Sequence, residues 1–222
     1  MLAIEKVLEL DEVADFRHRL EAAAWVDGRA TAGYRSGEVK RNLQIAADDE
    51  VGRSLGARIV ERLSRNALFV TAALPQRIFP PLFNRYEAGM GFGNHIDNAL
   101  RGDAERIRTD LSATLFLSGP DEYDGGELVV EDYLGTHAVK LAAGDMILYP
   151  GSSVHRVHAV TRGSRIAAFF WIQSLVRDAQ RRRILLDLDL AIQGLRARSG
   201  ENPELLSLSG VYHNLLREWA EP

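Results

Sequence analysis

Between Arg77 and Ser174 the chain breaks into short runs of aromatic and β-branched residues separated by Gly, Pro and Asp, a texture that suits an antiparallel sandwich or barrel. Candidate strands are Arg77 to Tyr86, Leu111 to Leu117, Glu127 to Glu131, His137 to Leu141, Asp145 to Tyr149, Val154 to Val160 and Arg165 to Ser174. Asp124-Gly125-Gly126, Ala143-Gly144-Asp145 and Arg162-Gly163-Ser164 read as turns between them. Before this region Val13, Phe16, Leu20 and Ala24 recur at helical spacing, and a second helix is expected from Val51 to about Asn66 despite Gly52 and Gly56. After it the helical pattern returns over Arg177 to about Leu195 and over Leu205 to Trp219, with Gly200-Glu201-Asn202-Pro203 as the linker. The expected class is α+β: a helical part at 1–76, an eight-strand jelly-roll-like core at 77–174 and a helical extension at 175–222.

The sequence holds no cysteine, so any metal must sit on His, Asp or Glu. A net charge of -4 gives no basic footprint for nucleic acid or an anionic membrane. The acidic start (Glu5, Glu9, Asp11, Glu12, Asp15) is unlike a signal peptide, and no run approaches the roughly 20 apolar residues of a membrane span. A cytoplasmic protein is expected.

His95-Ile96-Asp97 supplies an imidazole and a carboxylate two residues apart. On an extended segment they share a face, roughly 6 to 7 Å apart at about 3.3 Å per residue, close enough to reach one ion. A solvated loop would suit Gly91, Gly93 and Asn94 equally well. A third ligand must come from elsewhere, and His155 and His158 compete for it: positions three apart on a strand face opposite ways, so one of them only should point at the ion. Two His and one carboxylate form the facial set that binds ferrous iron and leaves positions open. His18, His137 and His213 read as surface or helix residues.

Arg165 opens the apolar run Ile166 to Trp171. A guanidinium at the rim of a buried strand needs a partner, either a ligand carboxylate gripped bidentately or an acidic side chain of the protein. The Tyr86 hydroxyl could reach the same carboxylate, or its ring could simply plug the barrel. Arg101, Arg106 and Arg108 make one loop basic, most simply as solvated charge.

Together these segments closely resemble the iron(II)- and 2-oxoglutarate-dependent dioxygenases of the prolyl 4-hydroxylase type, and more narrowly the bacterial PKHD-type hydroxylases. The matching segments are Tyr86-Glu87-Ala88-Gly89 before His95-Ile96-Asp97, Thr114 to Leu117 with Asp124 to Leu128, Ala143 to Pro150, and Ser153 to Val157 through Arg165 to Ser174. In that family the distal histidine lies two residues before a valine and the cosubstrate-binding arginine ten residues beyond it, which selects His155 over His158 and matches Arg165. His158 departs from the pattern, where a small or neutral residue is expected.

The resemblance implies a double-stranded β-helix core and His95, Asp97 and His155 as ligands of Fe(2+). It also implies Arg165, with Tyr86 near it, as the anchor of the 2-oxoglutarate cosubstrate. Hydroxylation of a small-molecule or peptide substrate with release of succinate and CO2 follows, with L-ascorbate as the reductant of iron oxidised without product. Two other readings are a cupin-like metal enzyme, for which Glu87 or Glu127 would have to join the site, and a sensor that binds iron and 2-oxoglutarate without chemistry. The apolar tail (Leu205, Leu206, Val211, Leu215, Trp219) either covers the core or joins two copies as a homodimer.

Overall fold

The computed structural model describes residues 1–31, 39–102 and 105–221. The N-terminal part contributes strands as well as helices: β1 (Leu2–Ile4), α1 (Leu10–Glu21), β2 (Trp25–Asp27), β3 (Lys40–Arg41), β4 (Leu43–Ile45), α2 (Glu50–Ser64) and α3 (Ala67–Ala73). Helix α1 buries Val13, Phe16 and Leu20 and stops short of Ala24, because the Trp25 indole donates to the Leu20 carbonyl at 2.9 Å as the chain turns into β2. Asp49 caps α2 by accepting from the Gly52 N–H at 2.9 Å. The glycine that weakens this helix has a reason to be there: a Cβ on Gly56 would lie 3.2 Å from the Pro81 carbonyl, so the helix packs closely on the chain below it. Helix α3, not expected from the sequence, is capped by Asn66, which accepts from the Phe69 N–H at 2.9 Å.

The strands that follow are β5 (Pro75–Ile78), β6 (Leu82–Glu87), β7 (Gly91–His95), β8 (Leu100–Arg101), β9 (Ile107–Arg108), β10 (Leu111–Phe116), β11 (Tyr123–Gly125) and β12 (Leu128–Asp132). Four more complete the set: β13 (Gly135–Val139), β14 (Met146–Pro150), β15 (His155–Val157) and β16 (Val160–Ser174). The larger sheet runs β1-β14-β10-β16-β6-β4-β2, with β5 and β11 also on β16; the smaller runs β13-β12-β15-β7-β3. Every pairing in both sheets is antiparallel, as a jelly roll requires.

Three local expectations change. The run Arg77 to Tyr86 is two strands, because Pro80-Pro81 offers no N–H to a ladder. Arg162-Gly163-Ser164 lies inside β16, Arg162 and Gly163 pairing with β11 and Ser164 with β6, the chain turning earlier at His158-Ala159. Gly163 has φ 75°, and a Cβ there would meet the Glu122 carbonyl at 2.0 Å, so this glycine serves close strand approach. Gly125-Gly126 carries the chain from a strand on β16 to one in the smaller sheet rather than closing a simple hairpin.

Strand alternation sorts the side chains of the larger sheet into two sets. Ile166, Ala168, Phe170 and Ile172 of β16 join Leu111, Ala113 and Leu115 of β10 and the apolar faces of the first three helices in the main core. Each Phe or Leu buried there contributes about 1.5 to 3 kcal/mol. The opposite parity, Arg165, Phe169 and Trp171 of β16 with Ser112 and Thr114 of β10 and Tyr86 of β6, lines a cavity against the smaller sheet. Beyond β16, α4 (Ala179–Ser199) and α5 (Pro203–Trp219) close a separate cluster around Leu74, Val176 and Leu185.

Candidate metal centre

His95 ends β7 and His155 begins β15, and the two residues are direct partners across the ladder. Their ring centres lie 4.1 Å apart. Asp97 sits just past the end of β7, and one ligand atom from each of the three side chains falls within 4.8 Å of the others. Among the described residues no further carboxylate or imidazole joins this group. His158 does not: its half-exposed ring points to Glu127, Nδ1 to Oε2 3.3 Å. A register shift between His155 and Val157 explains why parity alone leaves the two histidines undecided.

Both imidazoles are oriented the same way. His95 Nδ1 lies 2.9 Å from the Gly93 carbonyl and His155 Nδ1 3.0 Å from that of Ser153. A carbonyl only accepts, so each Nδ1 carries the proton and each Nε2 keeps its lone pair for a metal. The Asp97 carboxylate accepts from the Ser112 hydroxyl at 2.6 Å, and its Oδ2 is 3.8 Å from His155 Nε2. Burial, and next the His155 ring, push the His95 pKa down to about 4, so the imidazole is neutral at ordinary pH as a ligand must be. Phe92 stacks on His95 with centres 3.6 Å apart and helps exclude water from it.

Arg165 is 1% exposed, and its Nε and Nη1 have no hydrogen-bond partner among the described residues. Its guanidinium lies 5.4 Å from the Tyr86 ring centre and 5.2 Å from that of Phe116. Tyr86 is Arg165's direct neighbour across β6 and β16. Burial raises the Tyr86 phenol to about 12, against the pull of Arg165, so it stays protonated and able to donate. Two donors without a partner among the described residues, on a buried cation in the same cavity as His95, Asp97 and His155, fit one end of a diacid.

The sequence matches the 2OG-Fe(II) oxygenase superfamily over residues 81–173 and the PKHD-type hydroxylase C-terminal domain over 178–221. A PKHD-type hydroxylase of Bordetella pertussis is 58% identical over 213 residues, covering 95% of this chain and 94% of that protein, and one of Bordetella bronchiseptica matches to the same extent. The chain belongs to the PKHD-type hydroxylases. It is therefore an oxygenase of the class that works with iron(II) and 2-oxoglutarate. A Pseudomonas putida prolyl-4-hydroxylase superposes with a TM-score of 0.52 at 21% identity, over 78% of this chain and 91% of that one. Streptomyces hygroscopicus HygX, solved with nickel and 2-oxoglutarate bound, gives 0.52 at 15% identity over 79% and 83%. At such identities the likeness speaks for the fold, a double-stranded β-helix with flanking helices.

Among the described residues of this PKHD-type hydroxylase no glutamate joins the triad as a cupin-like site would need. Glu87 pairs with Arg85 and Glu127 with His158, both away from the triad. Sequence reasoning missed the cavity residues Lys40, Gln44, Asn84, Phe92, Asn98 and Ser112, and placed Arg101 among solvated charges although it lines the cavity, stacked 4.0 Å from the Trp171 ring centre. A signal existed for Ser112: it and Thr114 are polar at alternate positions of an otherwise apolar strand. Arg108 instead pairs with Asp110 at 2.7 Å, outside this cavity. No helix among the described residues is long and apolar enough to cross a membrane.

Proposed function

We propose that His95, Asp97 and His155 hold the ferrous ion and that Arg165, flanked by Tyr86, grips the far carboxylate of 2-oxoglutarate. A carbon-hydrogen bond of a small-molecule or peptide substrate is then hydroxylated. One dioxygen is consumed per turnover, one atom entering the product and the other the succinate, while CO2 leaves. The observation that carries this reading is the buried guanidinium of Arg165, whose Nε and Nη1 have no partner among the described residues, in one cavity with three convergent side-chain ligand atoms. Iron, when bound, supplies the redox chemistry; the chain supplies the rest. Gly93 and Ser153 carbonyls fix the histidine tautomers, Ser112 aims the carboxylate, and the aromatic walls exclude water.

Ascorbate is the proposed reductant for iron oxidised without product, and a reducing cytoplasm the proposed setting. A second copy is proposed to dock on the apolar side chains left exposed by α4 and α5, Ile184, Leu195, Leu206 and Val211. Light scattering with Leu206→Glu, which should give monomer where the native chain gives dimer, tests this last point.

The site itself is tested by anaerobic titration with Fe(II) or Mn(II) and by succinate formation under air. The native protein should bind one ion and form succinate in an iron-dependent way, and Asp97→Ala and His155→Ala should lose both. Full metal binding by Asp97→Ala refutes the assignment.

A further inference from the structure

Two of the three ligand side chains are held by a sheet, and the third is not. His95 and His155 face each other across the ladder of β7 and β15. Asp97 stands two residues past β7, where 96–98 form no helix or strand, and Ile96, Asn98 and Ala99 around it are exposed. A cleft of about 360 Å³ also opens beside this stretch, lined by Ile96, Asp97 and Ala99 together with Arg177, Ala179 and Arg182 near the start of α4. Packing therefore does little to fix the main chain here. A loop with few buried contacts moves unless hydrogen bonds tie it down, and a metal site tolerates little error in the placing of its carboxylate.

Thr109 supplies the ties. Its hydroxyl donates to the Asn98 carbonyl at 2.7 Å and its backbone N–H to the Ala99 carbonyl at 3.1 Å. Both carbonyls just past Asp97 are thus held by one buried residue. Three positions on, the Ser112 hydroxyl holds the carboxylate itself, so the segment 109–112 grips Asp97 by main chain and by side chain.

Thr109 is fixed in turn by its neighbour Asp110. The Asp110 N–H donates to the Ile172 carbonyl and its carbonyl accepts from the Gly151 N–H, both at 3.1 Å. Its buried carboxylate accepts from Arg108 Nε at 2.7 Å and from the Ser174 N–H at 2.9 Å. Ser174 ends β16, where the chain leaves for the C-terminal helices. Arg182 of α4, itself buried, donates to the Val176 and Arg177 carbonyls at 2.7 Å, and the Glu221 N–H beyond α5 donates to the Leu175 carbonyl at the same distance. The helices therefore pin the segment that holds Asp110.

Resting on Asp97 as a metal ligand, we infer that Thr109 is a positioning residue for that carboxylate and that Asp110 carries to it the hold of the C-terminal helices. The helical extension is then part of the metal site without contributing a ligand.

The test is anaerobic Mn(II) titration of the whole protein, with no turnover needed. Thr109→Val keeps the branched shape, removes the hydroxyl and should raise the Mn(II) Kd about 10-fold; Thr109→Ser, which keeps the donor, should recover most of that loss. Asp110→Asn should also weaken binding, and in combination with Thr109→Val the two losses should multiply to less than their product, because both loosen one loop. A through-space effect of the lost charge would multiply in full. Arg182→Met removes a cation, which by charge alone would tighten Mn(II) binding; loosening of the segment should weaken it at least twofold instead. A role in stability alone would lower the Tm of the metal-free protein and leave the Kd unchanged. A change under threefold for Thr109→Val, no recovery with Thr109→Ser, full multiplication in the double variant, or binding by Arg182→Met as tight as native overturns the inference. If the native chain binds no Mn(II), or Asp97→Ala binds it as well as native, the ligand assignment fails instead.

Discussion

Replacing Arg165 by Met should separate two roles that a buried arginine can play. Its Nε and Nη1 have no hydrogen-bond partner among the described residues. If both donate to the cosubstrate carboxylate, two charge-assisted hydrogen bonds at about 1.5 kcal/mol each, the low end of their range, amount to about 3 kcal/mol, or about 100-fold in affinity. Without cosubstrate the same guanidinium is a desolvated charge with two unmet donors, so Met, which fills similar space, should leave the metal-loaded protein as stable as before or more so. The assay is thermal unfolding with Mn(II) under nitrogen. At 2-oxoglutarate 100-fold above its Kd, the native protein gains about 2.7 kcal/mol, which is about 5 to 10 °C for a chain of this size. Arg165→Met at that concentration sits near its own Kd and gains about 0.4 kcal/mol, a shift near 1 °C. Retention of more than half the native shift refutes the cosubstrate role. A drop of several degrees without cosubstrate would show instead that the guanidinium is structural.

Ser112→Ala removes the hydroxyl that aims Asp97 and should weaken Mn(II) binding about 10- to 100-fold without unfolding the chain; unchanged affinity would show that the carboxylate is held by other means. The metal-free protein should lose stability as pH falls from about 6.5 to 4. Unfolded His95 takes a proton below about 6.5, whereas the folded residue resists until about 4. His95→Gln should therefore flatten the Tm-against-pH curve in that window, and an equally steep curve would reject the buried neutral imidazole. Gly163→Ala should cost at least about 2 kcal/mol, since it combines φ 75° with a backbone clash, whereas Gly89→Ala, at φ 84° in open space, should cost about 1 kcal/mol. Equal Tm losses would show that close strand approach at Gly163 carries no weight.

Much of the site was legible because its chemistry is local in sequence. His95 and Asp97 are two residues apart, and the family spacing from His155 to Arg165 survives intact. The candidates that sequence could not rank were those whose orientation depends on pairing. His155 and His158 differ by a bulge against β7, and a bulge is set by the partner strand. Lys40 was invisible for a similar reason: a two-residue strand has no periodicity to read, and only its place opposite Phe92 and Gly91 brings it to the cavity. The Gly163 turn was misread because glycine marks both turns and close backbone approaches, and sequence alone does not distinguish the two. Helix α3 escaped because seven residues show barely two turns of pattern.

The long strand β16 gives the enzyme an all-or-nothing character. Ile166 and Arg165 differ by one position, and so by which side of the sheet they occupy. A slip of one residue against β6 or β10 would drive the guanidinium into the oily layer beneath the helices and take it out of the cavity in the same movement. On the proposed role of Arg165, cosubstrate capture and consolidation of the interior would be one event in the life of the chain. A half-assembled molecule should have neither, and 2-oxoglutarate can report on the population whose strands are correctly threaded.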